Sequence, residues 1–335
     1  MRAFCLALSA LLLAGCETLT YYGQAAGGQL SLMSRAQPVE AVLADPATDA
    51  VLKERLALAR QLRDFAVREL HLPDNGSYRS YAELGRPYAL WNVVAAPEFS
   101  LAPLQSCFPV AGCVSYRGYY DKAAAERYAS GLRAAGNDVV VFGVPAYSTL
   151  GWFDDPLLST FIDYPEAELA RLIFHELAHQ LAYAKDDSTF NESFAVAVER
   201  EGLRRWLARQ GRAAPPARKD EFAALIEETR KKLEALYRTH LAPEAMRQKK
   251  RAEMQVLRPW LAVLKGLEGQ EPNNALLAAY ATYADLVPAF EKMLAEAGGD
   301  LPAFYARVKA LAALDPAQRK AALERASAPS NPDPS

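Results

Sequence analysis

His175-Glu176-Leu177-Ala178-His179 sets two imidazoles four residues apart with a carboxylate between them. On a helix, positions i and i+4 share a face, so both rings can reach one divalent ion. Glu176 follows the first imidazole by one residue and precedes the second by three. It therefore sits beside the ion, where it can take a proton from an activated water. The chain has four His in 335 residues, and two of them are here. The chemistry offered is zinc-assisted hydrolysis, with Glu176 as the base. The plainer reading, two buried and satisfied histidines, explains an isolated His better than a pair that brackets Glu.

A hydrolytic zinc site takes three protein ligands and leaves one position for water. The expected third ligand is Glu192, in Thr189-Phe190-Asn191-Glu192-Ser193-Phe194-Ala195. Thr189-x-x-Glu192 also has the spacing of a capping box, which would use Glu192 only to close a helix N-terminus. Glu199 lies two turns further on. It can orient an imidazole through its second nitrogen, or it can be a solvated charge. Peptide hydrolysis also needs a donor for the developing oxyanion. Tyr283 is the preferred candidate, with Tyr280 and His240 as alternatives.

These residues need a helical hairpin to bring them together. Asp163-Tyr164-Pro165-Glu166 predicts a helix start, with proline in the first turn and Glu166 and Glu168 at the positive end of the dipole. Leu169, Ile173, Leu177 and Leu181 form its core stripe, and His175 and His179 lie off that stripe. Lys185-Asp186-Asp187-Ser188 predicts a polar turn. A second helix running to Trp206 then returns Glu192 beside the first.

Upstream, a helical pattern runs from Asp45-Pro46 to Leu72, followed by a turn at Asp74-Asn75-Gly76. Residues 88–95 and 138–144 read as strands, and 121–135 as a helix stopped by Gly136-Asn137. Val141 to Ser148 could take a substrate backbone as an added strand, or could be an ordinary core strand. Beyond Pro215-Pro216 the chain reads as almost all helix, with Pro259 as a kink point and Lys249-Lys250-Arg251 as a solvated face. The expected fold is α+β and predominantly helical, with a zincin-like core and a small mixed sheet. Its expected divisions are a signal peptide (1–15), a lead-in segment (16–45), the catalytic core (46–212), a helical C-terminal part (213–326) and a disordered tail (327–335).

The N-terminus predicts the compartment. Met1-Arg2, an apolar run over residues 3–13, and then Ala14-Gly15-Cys16 describe a secretory signal. Leu13-Ala14-Gly15-Cys16 is similar to a bacterial lipobox, which would make Cys16 the lipidated first residue. Glu17 suits delivery to the outer membrane, facing the periplasm. Loss of Arg2 turns 38 basic residues into 37 against 40 acidic ones, which argues against a nucleic-acid partner. Cys107 and Cys113, around a turn-prone stretch in an oxidising compartment, predict a disulfide.

The motif resembles a known group. His175-Glu176-x-x-His179 followed by Asn191-Glu192-Ser193-Phe194-Ala195 is similar to the gluzincins. More narrowly, the chain resembles a family of bacterial lipoproteins regarded as zinc aminopeptidases. That likeness extends to Tyr21-Tyr22-Gly23-Gln24-Ala25, Leu72-Pro73-Asp74-Asn75, Ala95-Ala96-Pro97-Glu98-Phe99-Ser100-Leu101, Cys107 through Cys113, Val144 through Pro156, and Asn273-Asn274-Ala275. The resemblance implies a zinc peptidase with a peptide substrate, held at the membrane through Cys16. One departure bears on the aminopeptidase assignment. The Gly-x-Met-Glu-Asn stretch, whose Glu grips the substrate amine in gluzincin aminopeptidases, is missing. Glu98 could replace it or could be a surface loop residue. A zinc endopeptidase is the second expectation. The third is a membrane-anchored scaffold that binds partners or cell wall without catalysis.

Overall fold

The computed structural model describes residues 19–108, 112–213, 218–261, 266–267, 269–281 and 285–327. The signal segment, Cys16, Tyr283 and nearly all of the expected tail lie outside them. In chain order the elements are α1 (19–33), β1 (Gln37–Pro38), α2 (Val39–Ala44), α3 (Ala50–Arg68), β2 (Ser80–Ala82), β3 (Leu90–Pro97), β4 (Ser106–Phe108), β5 (Gly112–Val114) and β6 (Arg117–Tyr119). There follow α4 (Lys122–Ala134), β7 (Asn137–Val144), β8 (Leu157–Leu158), α5 (Glu166–His179), α6 (Ser188–Ala208), α7 (Arg218–Tyr237), α8 (Pro243–Met254), α9 (Arg258–Leu261), α10 (Asn274–Ala281), α11 (Val287–Glu296), α12 (Leu301–Ala312) and α13 (Pro316–Ser327). The fold is α+β and predominantly helical.

The main sheet has the order β6-β3-β7 and is antiparallel, with Val93 opposite Val141 and Val94 opposite Val140. Strand side chains alternate between faces, and both faces here are covered. Val93, Ala95, Val139 and Val141 pack with Ala125 and Ala129 of α4, while Val94 and Val140 pack with Phe222 of α7 and Leu276 of α10. That double burial explains why these strands read as continuous apolar runs. The outer edge of β7 is partly taken, since Asn273 Nδ2 donates to the Val139 carbonyl.

The largest core joins α3, α5, α6, α11 and α12. Phe190 and Phe194 of α6 meet Phe290 of α11, and Phe194 also meets Phe304 of α12. Helix α6 lies close on α5 because Gly202 has no side chain. A Cβ there would fall 2.6 Å from the Phe174 ring and 2.7 Å from Leu70, closer than carbon atoms approach. The helix expected from Asp45 to Leu72 is α3, four to five residues shorter at each end, and a separate short helix, α2, precedes it. Asp45 precedes Pro46 and is extended (φ −69°, ψ 118°), as a residue before proline prefers, so α2 stops there. Asp49 then caps α3 by accepting from the amides of Val51 and Leu52.

Helix α3 also fixes a loop against α5. Arg63 is almost fully buried and donates to the carbonyls of Pro73, Asn75 and Ser77. The loop held in this way reaches the end of α5 through Asn75 Nδ2 to Gln180 Oε1 (2.7 Å) and Gln180 Nε2 to Ser77 Oγ (3.1 Å). Gln180 directly follows His179, so this network sets where the second imidazole ends up. Lys250 departs from the expected solvated face. It is buried, and donates to Asp138 Oδ2 at 2.5 Å and to the Glu98 carbonyl at 2.8 Å. Its long stem crosses apolar surface to reach them.

Candidate metal centre

Helix α5 carries His175 and His179 on the side that faces α6, and both are buried. Helix α6 begins at Ser188 and is capped by Asp187, which accepts from the Phe190 amide at 2.9 Å. The capping alternative for Glu192 therefore fails, because the cap is already supplied two residues before Thr189. Glu192 turns inward instead. His175 Nε2 lies 3.2 Å from Glu192 Oε2, His179 Nε2 lies 3.6 Å from the same oxygen, and the two Nε2 atoms are 3.2 Å apart.

Donors around a tetrahedral zinc at about 2.0–2.1 Å stand about 3.3–3.4 Å from one another. The three observed edges match that triangle. Neutral imidazole nitrogens and a carboxylate oxygen all present lone pairs, a donor set that suits a divalent cation. His175, His179 and Glu192 could thus hold a metal ion.

The surrounding charges act on these groups. Burial alone would depress His175, but hydrogen bonds to Glu192 and Glu199 raise it well above the ordinary range. Burial would raise Glu192, but His179 and His175 hold it below the usual carboxylate range. In the metal-free chain His175 keeps a proton that a cation can replace. Glu176 is pushed up by burial and by Glu192 and Glu199, against the opposing pull of His175 and His179.

Glu199 is not a solvated charge. Its Oε2 accepts from His175 Nδ1 at 2.9 Å, which aims Nε2 at the other two donors. Arg171, one turn before His175 and itself buried, stands 3.6 Å from Glu199 Oε1. Sequence reasoning passed over Arg171. The available signal was a charged residue at i−4 from the first imidazole, on the same helix face. The second imidazole is held differently, as His179 Nδ1 is buried with no hydrogen bond.

The turn between the two helices is pinned from three directions. Asn191 bonds both the amide and the carbonyl of Ala184, at 2.7 and 2.9 Å. Asp186, in the left-handed region at φ 64°, accepts from the Cys113 amide at 2.5 Å. Cys113 is bonded to Cys107, so the short β4–β5 hairpin rests on this turn. Asp187 accepts from Arg319 Nε at 2.8 Å.

The remaining expected site residues lie elsewhere. Glu98 is held by Arg247 at 2.6 and 3.0 Å and is neutralised, so it is a structural loop residue and not a free carboxylate. Tyr280 packs its ring on Phe222 at 4.8 Å, within the core beneath the sheet. His240 is exposed in the link between α7 and α8. Tyr116, between β5 and β6, is half-buried, and its pKa is raised by desolvation and then by Glu192, Tyr183 and Glu176. Its neighbour Ser115 lines a cavity of about 390 Å³ together with Asp186, Thr189 and Arg230. None of His175, Glu176, His179 and Glu192 lines it.

A family model described as "Putative aminopeptidase" matches residues 20–323. The chain belongs to this family. No curated protein and no solved structure matches it. Within the aminopeptidase family, the matched span takes in both donor helices, the hairpin that rests on their turn, and the C-terminal helices through α13.

Proposed function

We propose that this chain is a zinc-dependent peptidase, an aminopeptidase, anchored in the bacterial cell envelope by lipid at Cys16 and facing the periplasm. The observation that carries the reading is the convergence of His175, His179 and Glu192, with Glu176 beside them, in a chain of the aminopeptidase family. A zinc ion held by these residues would supply Lewis acidity and lower the pKa of a water in its open position to about 7. Glu176 takes a proton from the attacking water and returns it to the leaving amine. Glu199, steadied by Arg171, keeps the His175 ring in one orientation. Tyr116, on which Glu192 and Glu176 act electrostatically, is the candidate donor to the oxygen that gains charge as the peptide carbonyl is attacked.

The test is zinc content, together with turnover of aminoacyl and internally quenched peptides, for the parent and Glu176→Gln. The expected outcome is a zinc-containing parent that cleaves aminoacyl substrates, and a variant that keeps zinc while its turnover falls about 10²–10⁴-fold. Parent-like turnover in the variant would remove Glu176 from the role of base. A second reading, zinc endopeptidase, is favoured by the pairing of Glu98 with Arg247, which leaves that carboxylate unable to grip a substrate amine. Cleavage confined to internally quenched peptides would select it.

A further inference from the structure

Eight large hydrophobic side chains are exposed among the described residues. Five of them, Leu19, Tyr22, Leu30, Trp152 and Phe153, belong to two neighbouring segments. The first segment is α1, which carries no charged residue from Leu19 to Ser34. Its inner face packs on the protein, although the buried Nε2 atoms of Gln24 and Gln29 find no hydrogen-bond partner among the described residues. Tyr21 packs on Tyr119 and under Arg117, Gln24 Oε1 accepts from the Tyr120 amide, and Gly28 lies on the Tyr120 ring. Gln29 Oε1 accepts from the hydroxyls of Tyr120 and Tyr147, and Leu32 enters the core. Its outer face presents Leu19, Tyr22, Gly23, Ala26, Gly27 and Leu30 to solvent. A helix at a water-facing surface ordinarily carries charge on that side.

The second segment starts two residues after Tyr147 and is a rigid turn. Leu150 (φ 57°) and Gly151 (φ 81°) are both left-handed. Thr149 Oγ1 accepts from the Phe153 amide at 3.1 Å and donates to its carbonyl at 3.2 Å, and the Thr149 amide donates to Asp155 Oδ2 at 2.9 Å. This frame holds Trp152, 71 % exposed, and Phe153, 47 % exposed, away from the protein at no further ordering cost.

We infer that the outer face of α1 and the Trp152–Phe153 turn together form a surface that lies in the interfacial layer of a lipid bilayer. Leu, Tyr, Trp and Phe match that layer, where amphipathic rings settle at headgroup depth; the outer face of α1 is uncharged, and one exposed carboxylate, Asp154, borders the turn. No described helix is long and apolar enough to cross a membrane, so the contact is with the surface. The inference rests on the lipid-anchor part of the proposed function. Cys16 stands three residues before the start of α1, so an acyl chain there would keep Leu19 within about 10 Å of the bilayer. Lipid and helix would then act as two signals, which stable attachment requires.

The test uses the full-length chain in phosphatidylethanolamine–phosphatidylglycerol vesicles. The emission of Trp152 is isolated as parent minus Trp152→Phe, since Trp91, Trp206 and Trp260 also emit. The mass of the Cys16 peptide is measured on the same material. Trp152 is expected to be blue-shifted, quenched by lipids brominated near the headgroup, and shielded from aqueous iodide. Quenching by iodide and not by brominated lipid overturns the inference, even where Cys16 carries lipid. Shielding from both quenchers in a protein that sediments as a dimer also overturns it, since a second copy then covers the face. Bilayer quenching with an unmodified Cys16 sustains the surface and removes the anchor.

Discussion

Helices α5 and α7 place ionisable residues at the same four-residue spacing and with opposite consequences. On α5, His175 and His179 are buried and face Glu192, and His175 is steadied by Glu199. On α7, Glu227 pairs with Lys231 and Glu228 with Lys232 on an open face. Helical spacing brings side chains together in both places, but water decides what the meeting is worth. In solvent the charges are screened and the pair holds little. Between α5 and α6 the same proximity shifts protonation and gathers lone pairs, because the packing of Gly202 on Phe174 closes the two helices. Spacing makes a motif, and burial turns it into a centre.

The comparison breaks most visibly at Glu192. Glu192→Ala is expected to lose bound zinc as well as turnover, because only two protein donors remain. Metal analysis showing full occupancy in the purified variant would remove Glu192 from the ligand set. Glu199→Ala keeps all three donors but frees the His175 ring, and zinc affinity by competitive chelation should fall about 10–100-fold. An unchanged affinity would place Glu199 with the solvated acids of α7.

Asp155 sharpens the point through pH. It is buried, and that burial, reinforced by Glu176 and opposed by hydrogen bonds from Thr149, pushes its carboxyl up to about 6 from an ordinary 3.8. The folded state then binds this proton more tightly than the unfolded one. Its contribution to stability falls as pH rises from about 4 to about 6 and stays low above that. Asp155→Asn should remove the step, gaining on the order of 1–3 kcal/mol at pH 7 and nothing below pH 4 in urea midpoints. The smallest effect belongs to the open face, where Lys232→Ala should leave the thermal midpoint unchanged within error. A measurable drop would mean that solvent screening on α7 has been overstated.

The sequence made the centre largely legible because its parts are local. A four-residue spacing, a polar turn and a returning helix place His175, His179 and Glu192 within one hairpin. The strands at β3 and β7 and the helix α4 were legible too, since double burial writes apolar runs and Asp121 and Gly136 mark the helix ends. The parts that depend on distant partners were not. Lys250 reads as one of three solvated cations, yet it reaches Asp138 across 112 residues. Glu98 reads as an available carboxylate, yet Arg247 occupies it from 149 residues away. Tyr116 gives no local sign, because the charges that act on it, Glu192 and Glu176, lie on helices far along the chain. Periodicity reports which face is inside and says nothing about which charge waits there.

Arg319 sits in α13, near the end of the chain, fully buried over the Phe190 ring and bonded to Asp187. Asp187 is also the residue that starts the helix bearing Glu192. The position of the helix that bears Glu192 thus depends on a contact made from α13, 132 residues further along the chain. A chain clipped before α13 would keep His175, His179 and Glu192 and lose this strut.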